Sequence, residues 1–344
     1  MQAKKIAAAL VAGFTALALS ACGNGIAGGG SGSGGGAKTT FRLAFNQTEK
    51  HPQYKAAEEL GKKLEKATDG RYSIEVFANE TLGSQNEVVQ NVSDGTVDMM
   101  YIAGPVLESF NKDFIVFNLP YMFDSPEAQA KVFADDAVLG GLKTSLEDSK
   151  KITVLGALHA GTRNVYNAKH AIKSPADMAN LKIRVQQSDS QVQMIKDMGG
   201  VASPMGQGEV YTALQSGVLD GAENNETVFN ALKHDEVAKY YSYTRHLMIP
   251  DYLVMSTTVL KGMPEADRKA LLELVPGAVD QANTGFLQYA ADSKKASQET
   301  GAKFNDDVDV ATFKAATSGL VKASINTPVR QALYDAVQKA NAKA

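Results

Sequence analysis

The chain has 344 residues, 44% of them hydrophobic, enough for a large core and more than one core usually fills, so two domains are expected. Its formal net charge is -3 with no basic block, which excludes an electrostatic footprint for nucleic acid, and its single cysteine excludes a disulfide framework. There is no Trp, and no internal repeat of fixed period is visible.

Residues 1–22 read as a targeting segment, a lipoprotein signal peptide, and not as part of the fold. Lys4 and Lys5 make a positive start, and residues 6–21 form an apolar, small-residue run too short to span a bilayer comfortably. The run ends Leu19-Ser20-Ala21-Cys22, which resembles a bacterial lipobox. On that reading Cys22 is lipidated and anchors the mature chain to a membrane; the alternative is a plain signal peptide with a chance cysteine. With Cys22 committed to lipid, thiolate nucleophiles and cysteine-ligated metals drop out. Residues 23–38 are Gly/Ser-rich and predict a flexible tether, with a mean reach of about 20 Å.

The folded part opens with a strand, Phe41-Arg42-Leu43-Ala44-Phe45, followed by a polar loop holding Asn46, Glu49 and Lys50. Pro52 suits the first turn of a helix through Ala56, Leu60, Leu64 and Ala67, which Asp69-Gly70 ends. Residues 72–77 alternate as a second strand. Ser84 with Glu87 three residues on is a capping box for a short helix closed by Asp94-Gly95, and residues 97–102 read as a third strand. This rhythm of strand and helix predicts parallel α/β units. Residues 114–123 are apolar and aromatic without a clean period, predicting core and hinge-side packing. Ser125-Pro126-Glu127 starts a helix, residues 152–158 form a buried strand, and Gly161 permits a sharp turn before Arg163 opens residues 164–168.

Residues 181–185 alternate as a strand, Leu-Lys-Ile-Arg-Val, then give way at Ser188-Asp189 to a helix carrying Val192, Ile195 and Met198. Arg184 thus stands where a strand enters a helix, and in open α/β sheets ligands bind outside the carboxyl ends of the strands. From alternation alone, a surface arginine paired with a neighbouring carboxylate explains it equally well. A helix near residues 208–216 buries Val210 and Leu214, and the turn Leu219-Asp220-Gly221 leads to Glu223, Asn224 and Asn225. A helix over residues 226–234, strands over 245–249 and 252–260, a helix of more than 30 residues from Pro264 to Thr300, and a closing helix with Leu333, Tyr334 and Val337 complete the chain.

The ordered pieces LKIRV, MGG, SPM, GEVYTALQSG and VLDGAEN in residues 181–225, with HPQ, EVF, LGS, DGTVDM and FNLPYMF earlier, resemble the substrate-binding proteins of tripartite ATP-independent periplasmic (TRAP) transporters. The resemblance implies an α/β, two-lobed periplasmic-binding-protein-like fold, with a hinge and a long helix spanning both lobes. It divides the chain into one lobe of residues 39–160 plus about 249–288 and another of 161–248 plus about 289–344. It implies an extracytoplasmic binding protein that makes and breaks no bond, needs no cofactor or metal, and delivers a small organic acid to an integral membrane permease. Arg184 would clamp the carboxylate, Arg163 assist, and Asn224 hydrogen-bond the acid or a hydroxyl, with Gln187, Glu223 and Gln207 as further hydroxyl partners. Asn46, Glu49 and Lys50 would reach the ligand from the first lobe.

A guanidinium presents a planar fork matched to a carboxylate, which is why arginine suits this task. RVQQSD combined with GEVYTALQSGVLDGAENN is similar to members that bind uronic acids such as glucuronate and galacturonate. Glu226, and Gly206-Gln207 before GEVY, depart from that branch, which leaves a C4-dicarboxylate, a 2-oxo acid or another hydroxy acid open. A lipid-anchored hydrolase is the remote alternative: Ser109-Phe110-Asn111-Lys112 fits S-x-x-K, but S-D-N and K-T-G are absent, as are G-x-S-x-G, H-E-x-x-H and a P-loop. The five histidines show no ligand spacing and read as caps or surface residues. No heptad seam or self-pairing edge stands out, so a monomer is expected.

Overall fold

The structure, a computed structural model, describes residues 38–343. The signal segment, Cys22 and the tether through residue 37 lie outside the described residues.

Among the described residues eleven strands appear in chain order: β1 Thr39–Ala44, β2 Tyr72–Phe77, β3 Met99–Ala103, β4 Ile152–His159, β5 Arg163–Asn167, β6 Lys182–Val185, β7 Val201–Pro204, β8 Gly221–Asn224, β9 Tyr240–Leu247, β10 Pro250–Ser256 and β11 Lys303–Asn305. They form two sheets, ordered β2-β1-β3-β10-β4 and β11-β9-β5-β8-β6-β7. In the first, β1 is parallel to β2 and β3, and β10 runs antiparallel between β3 and β4. In the second, β6 is parallel to β7 and β8, whereas β5 is antiparallel to β8 and β9. Each sheet is the core of one lobe of the mixed α/β fold.

Local chemistry explains the elements that sequence predicts. The Pro52–Ala67 helix starts with His51 accepting from the Gln53 N–H and buries Ala56, Ala57, Leu60 and Leu64 on one face. The Gln85–Asp94 helix has its Ser84/Glu87 capping box and ends at Gly95, left-handed with φ 84. Strand β4 is buried along its whole length because helices cover it: a Cβ on Gly156 would sit 3.0 Å from Val279. In the aromatic stretch Phe117 stacks on Phe123 with ring centroids 6.1 Å apart and meets Phe133 edge-on, so this run is core. Tyr121 reaches the other lobe, donating its hydroxyl to the Thr244 carbonyl at 2.9 Å.

Other elements differ from expectation. The strand expected over 245–249 begins at Tyr240 and ends at Leu247, and the one expected to run to residue 260 stops at Ser256. Thr257–Gly262 is helical despite its β-branched residues, because Leu260 and Met263, three apart, both pack into the first lobe. The expected 226–234 helix ends at Ala231, and Lys233 turns left-handed before a second turn, His234–Val237.

The Glu265–Glu299 helix has 35 residues. Its Leu271, Val275, Ala278 and Ala282 lie in the core of the first lobe, whereas Ser297 donates to Asp235 of the second at 2.7 Å. Phe286 sits between, beside Gly161, which lies in the β4–β5 crossing with φ +80. The C-terminal helices separate: Val310–Ser324 packs on Asp189–Asp197 in the second lobe, and Pro328–Asn341 packs on Pro126–Phe133 in the first. The sequence-based division puts residues 289–344 with the second lobe; Leu333, Val337 and Ala340 instead join the first-lobe core, because the helix they share buries its apolar face there. Among the described residues no helix is long and apolar enough to cross a membrane.

Candidate functional site

Arg184 sits in β6, and strand alternation sends Ile183 and Val185 into the second-lobe core while Arg184 takes the opposite face. It is 4% exposed, and its Nε and Nη2 donate to the Met205 carbonyl at 2.9 and 2.7 Å. No carboxylate among the described residues pairs with it within salt-bridge distance. Burial lowers its pKa to about 10; Glu223 opposes that shift and Arg163 adds to it. The group is therefore still a cation at neutral pH. With two N–H groups committed to Met205, the end-on edge formed by Nη1 and Nη2 is left over, which is one of the two edges a carboxylate can meet bidentately.

Arg163, at the start of β5, is also 4% exposed, and four of its five N–H groups are taken by its own lobe. Nε and Nη2 clasp the Glu223 carboxylate at 2.5 and 2.6 Å, Nη2 also donates to the Glu223 carbonyl at 2.7 Å, and Nη1 donates to Asn224 Oδ1 at 2.9 Å. Antiparallel pairing of β5 with β8, with Asn164 opposite Asn224, brings these residues together. Burial pushes the Glu223 carboxyl up, but the charge and hydrogen bonds of Arg163, helped by His246, outweigh it and hold the group down at about 2. Asn224 Oδ1 accepts from Arg163 and from the Asn225 N–H, which leaves its amide NH2 toward the cleft.

Two small adjoining cavities of about 30 and 20 Å³ lie between the lobes. The first is bordered by Arg184, Glu80, Asn86, Gln187 and Met205, the second by Arg163, Asn224, Asn46, Gln47, His51 and Asp251. Gln85, Gln186 and Gln207 border both. Room for a water or two in each means that a larger ligand enters only when the lobes part or these side chains move. Gln207 closes the cleft, donating to the Asn46 carbonyl at 2.9 Å, and Asn86 donates to Gln187 Oε1 at 2.5 Å. A roomier groove of about 460 Å³ between the Val310–Ser324 and Pro328–Asn341 helices shares no residue with this cleft. We place the site at the cleft because a buried guanidinium with no carboxylate within salt-bridge distance among the described residues is there.

The structure gathers Arg184, Arg163, Asn224, Gln187, Asn46 and Gln207 around the cleft. Glu49 and Lys50 are exposed and border neither cavity; the loop turns Asn46 and Gln47 inward instead. His51 caps a helix, one of the two expected places, whereas His159, His234 and His246 are buried and cap none, against the expectation of caps or surface residues; His246 lies 3.4 Å from Glu223. Sequence reasoning missed Gln186, Gln85, Glu80 and Asp251. Asp251 had a visible signal, a lone acid inside an apolar strand. No group of three metal-ligating side chains occurs among the described residues.

Residues 43–327 match the family described as bacterial extracellular solute-binding protein, family 7. A TRAP periplasmic solute binding protein of Anaerococcus prevotii, solved with bound alpha/beta D-glucuronate, superposes with a TM-score of 0.86 at 36% identity, over 89% of this chain and 99% of that one. One from Xanthobacter autotrophicus, solved with bound beta-D-galacturonate, gives 0.82 at 29% identity over 88% and 99%. A solute-binding protein of Chromohalobacter salexigens is 34% identical over 269 residues, 77% of this chain and 78% of that protein. The chain belongs to the bacterial extracellular solute-binding protein family 7, whose members are extracytoplasmic binding proteins and not enzymes.

Proposed function

We propose that this family 7 member captures a uronate such as glucuronate or galacturonate between its two lobes and delivers it to a TRAP-type membrane permease. The observation that carries the reading is Arg184, a buried cation whose only protein partner among the described residues is the Met205 carbonyl. A carboxylate on its remaining edge would add charge-assisted hydrogen bonds where water is excluded. Arg163, paired with Glu223, would support Asn224, whose free amide NH2 can donate to the acid or to a hydroxyl, and its one remaining Nη1 N–H would assist as expected. Relatives of the same fold solved with uronates support the choice of acid. Capture would draw the lobes together around the ligand, and the closed form would be the one the permease accepts. Lipid on Cys22 would hold the protein at the membrane where the permease lies.

The test is calorimetric titration of the purified protein after unfolding and refolding to strip carried ligand; with no Trp in the chain, intrinsic tryptophan fluorescence offers no signal. The panel is glucuronate, galacturonate, succinate, pyruvate, glutamate and neutral glucose. One-to-one binding of a uronate, weakened in Arg184→Ala by about 2 to 5 kcal/mol, roughly 30-fold to several thousand-fold, is expected. Binding that survives that substitution, or a preference for glucose, would overturn the clamp.

A further inference from the structure

Gln186 lies two residues after Arg184, just past the end of β6, so alternation directs both side chains to the cleft. It is 9% exposed and borders both cavities, the one that holds Arg184 and the one that holds Asp251 and Asn224. Its Oε1 is buried without a hydrogen-bond partner among the described residues. Buried amides are almost always satisfied, and one that is not lowers the stability of the fold. Its neighbours show what it awaits. Asp251 on the same cavity accepts from Gln53 at 2.9 Å and presents further acceptor capacity, so Gln186 Oε1 and Asp251 set two acceptors in a cavity where the Asn224 amide is a donor.

We infer that Gln186 reads a hydroxyl of the bound acid and thereby selects polyhydroxy acids over dicarboxylates and oxo acids. A hydroxyl both donates and accepts, so it satisfies either end of the amide, while a second carboxylate or a keto oxygen only accepts and would face Asp251 unfavourably. Arg184 accounts for the acid group and is indifferent to the remainder of the ligand; Gln186, on the same face and further along the strand end, meets that remainder. The inference rests on the reading of the cleft as a uronate site.

The test is a cycle of ligands and variants by calorimetry, with displacement titration for weak binders. Wild type, Gln186→Leu and Gln186→Asn are each titrated with glucuronate and with its analogues lacking the 2-, 3- or 4-hydroxyl. In wild type, losing one particular hydroxyl is expected to weaken binding about 10- to 100-fold, and in both variants that same loss shrinks to near unity. Thermal melting confirms that the variants fold, and the shorter Asn, which keeps polarity and loses reach, serves if Leu does not. If every deoxy analogue loses the same factor in wild type and in the variants, Gln186 reads no hydroxyl. If wild type binds no uronate at all, the proposed function has failed and this inference falls with it.

Discussion

Replacing Glu223 by Gln removes the charge that compensates Arg163 and turns an amide NH2 toward the guanidinium. Arg163 then stays buried with no anion among the groups it touches. Breaking a buried pair by removing one partner costs about 3 to 5 kcal/mol. A second route gives a similar size: the carboxyl is held at about 2 against an ordinary 4.5, and that difference is worth about 3 kcal/mol of folding free energy. A depressed carboxyl pKa contributes stability that is fully present above the unfolded value and is lost as pH falls through the folded one, so the window lies between about pH 4.5 and 2. Urea unfolding of wild type and Glu223→Gln at pH 7 and pH 3 should therefore show a gap of about 3 to 5 kcal/mol at pH 7, with about 2 kcal/mol of it gone at pH 3. Carboxyls common to both proteins titrate alike and cancel from the gap. A gap below about 1 kcal/mol at pH 7, the range of an exposed pair, or one that does not change with pH, would refute the assignment of Glu223 as the buried counterion.

Gly161→Ala should destabilise by about 2 to 4 kcal/mol in urea unfolding, because the residue has φ +80 and a Cβ would sit 2.7 Å from the Phe286 ring and 3.0 Å from Asn225. Since this is a crossing between lobes, ligand affinity should fall with it; a variant as stable as wild type would show that the crossing tolerates a side chain. Cys22→Ala should abolish incorporation of labelled palmitate and release the protein from the membrane pellet, with uronate affinity unchanged. Label retained in the variant would exclude Cys22 as the lipid site.

The elements legible in the sequence are those specified by neighbouring residues. Ser84 and Glu87 are three apart, Pro52 marks its own helix start, and the apolar spacing of the Glu265–Glu299 helix is internal to it. Strands β7, β8 and β11 are three or four residues long, too short to show a period, and exist through their partners. The Pro328–Asn341 helix is amphipathic in sequence, but which lobe it covers is decided by contacts such as Asn341 donating to the Met122 carbonyl, more than 200 positions away. Within the site, Arg184 was legible because its place at a strand end is local. The division of labour between the arginines was not, since it depends on Glu223 lying across from Arg163, 60 residues apart in sequence. The loop after β1 shows the same limit: its polarity marks Asn46, Glu49 and Lys50 alike, and only the fold decides that Asn46 faces the cleft and the other two face solvent.

That division of labour would let the cleft carry two buried arginines and still suit the proposed ligand, an acid with a single charge. Burying a cation without an anion is costly, and two would be far worse than one. Glu223 compensates one of the two charges, so that the Arg163–Glu223 pair carries no net charge and supports Asn224. Arg184 keeps its charge, held in place by a carbonyl that orients the fork without neutralising it. The closed cleft therefore carries one cation without a direct carboxylate partner at the Arg184 end and carboxylate acceptors at the Asp251 end. A monoanion with hydroxyls would supply the missing charge at one end and donors at the other, and so would stabilise the closed lobes more than the open ones. Differential affinity of that kind is what a ligand needs to shift a conformational equilibrium, and a carrier that must signal its loaded state to a permease needs no more than that.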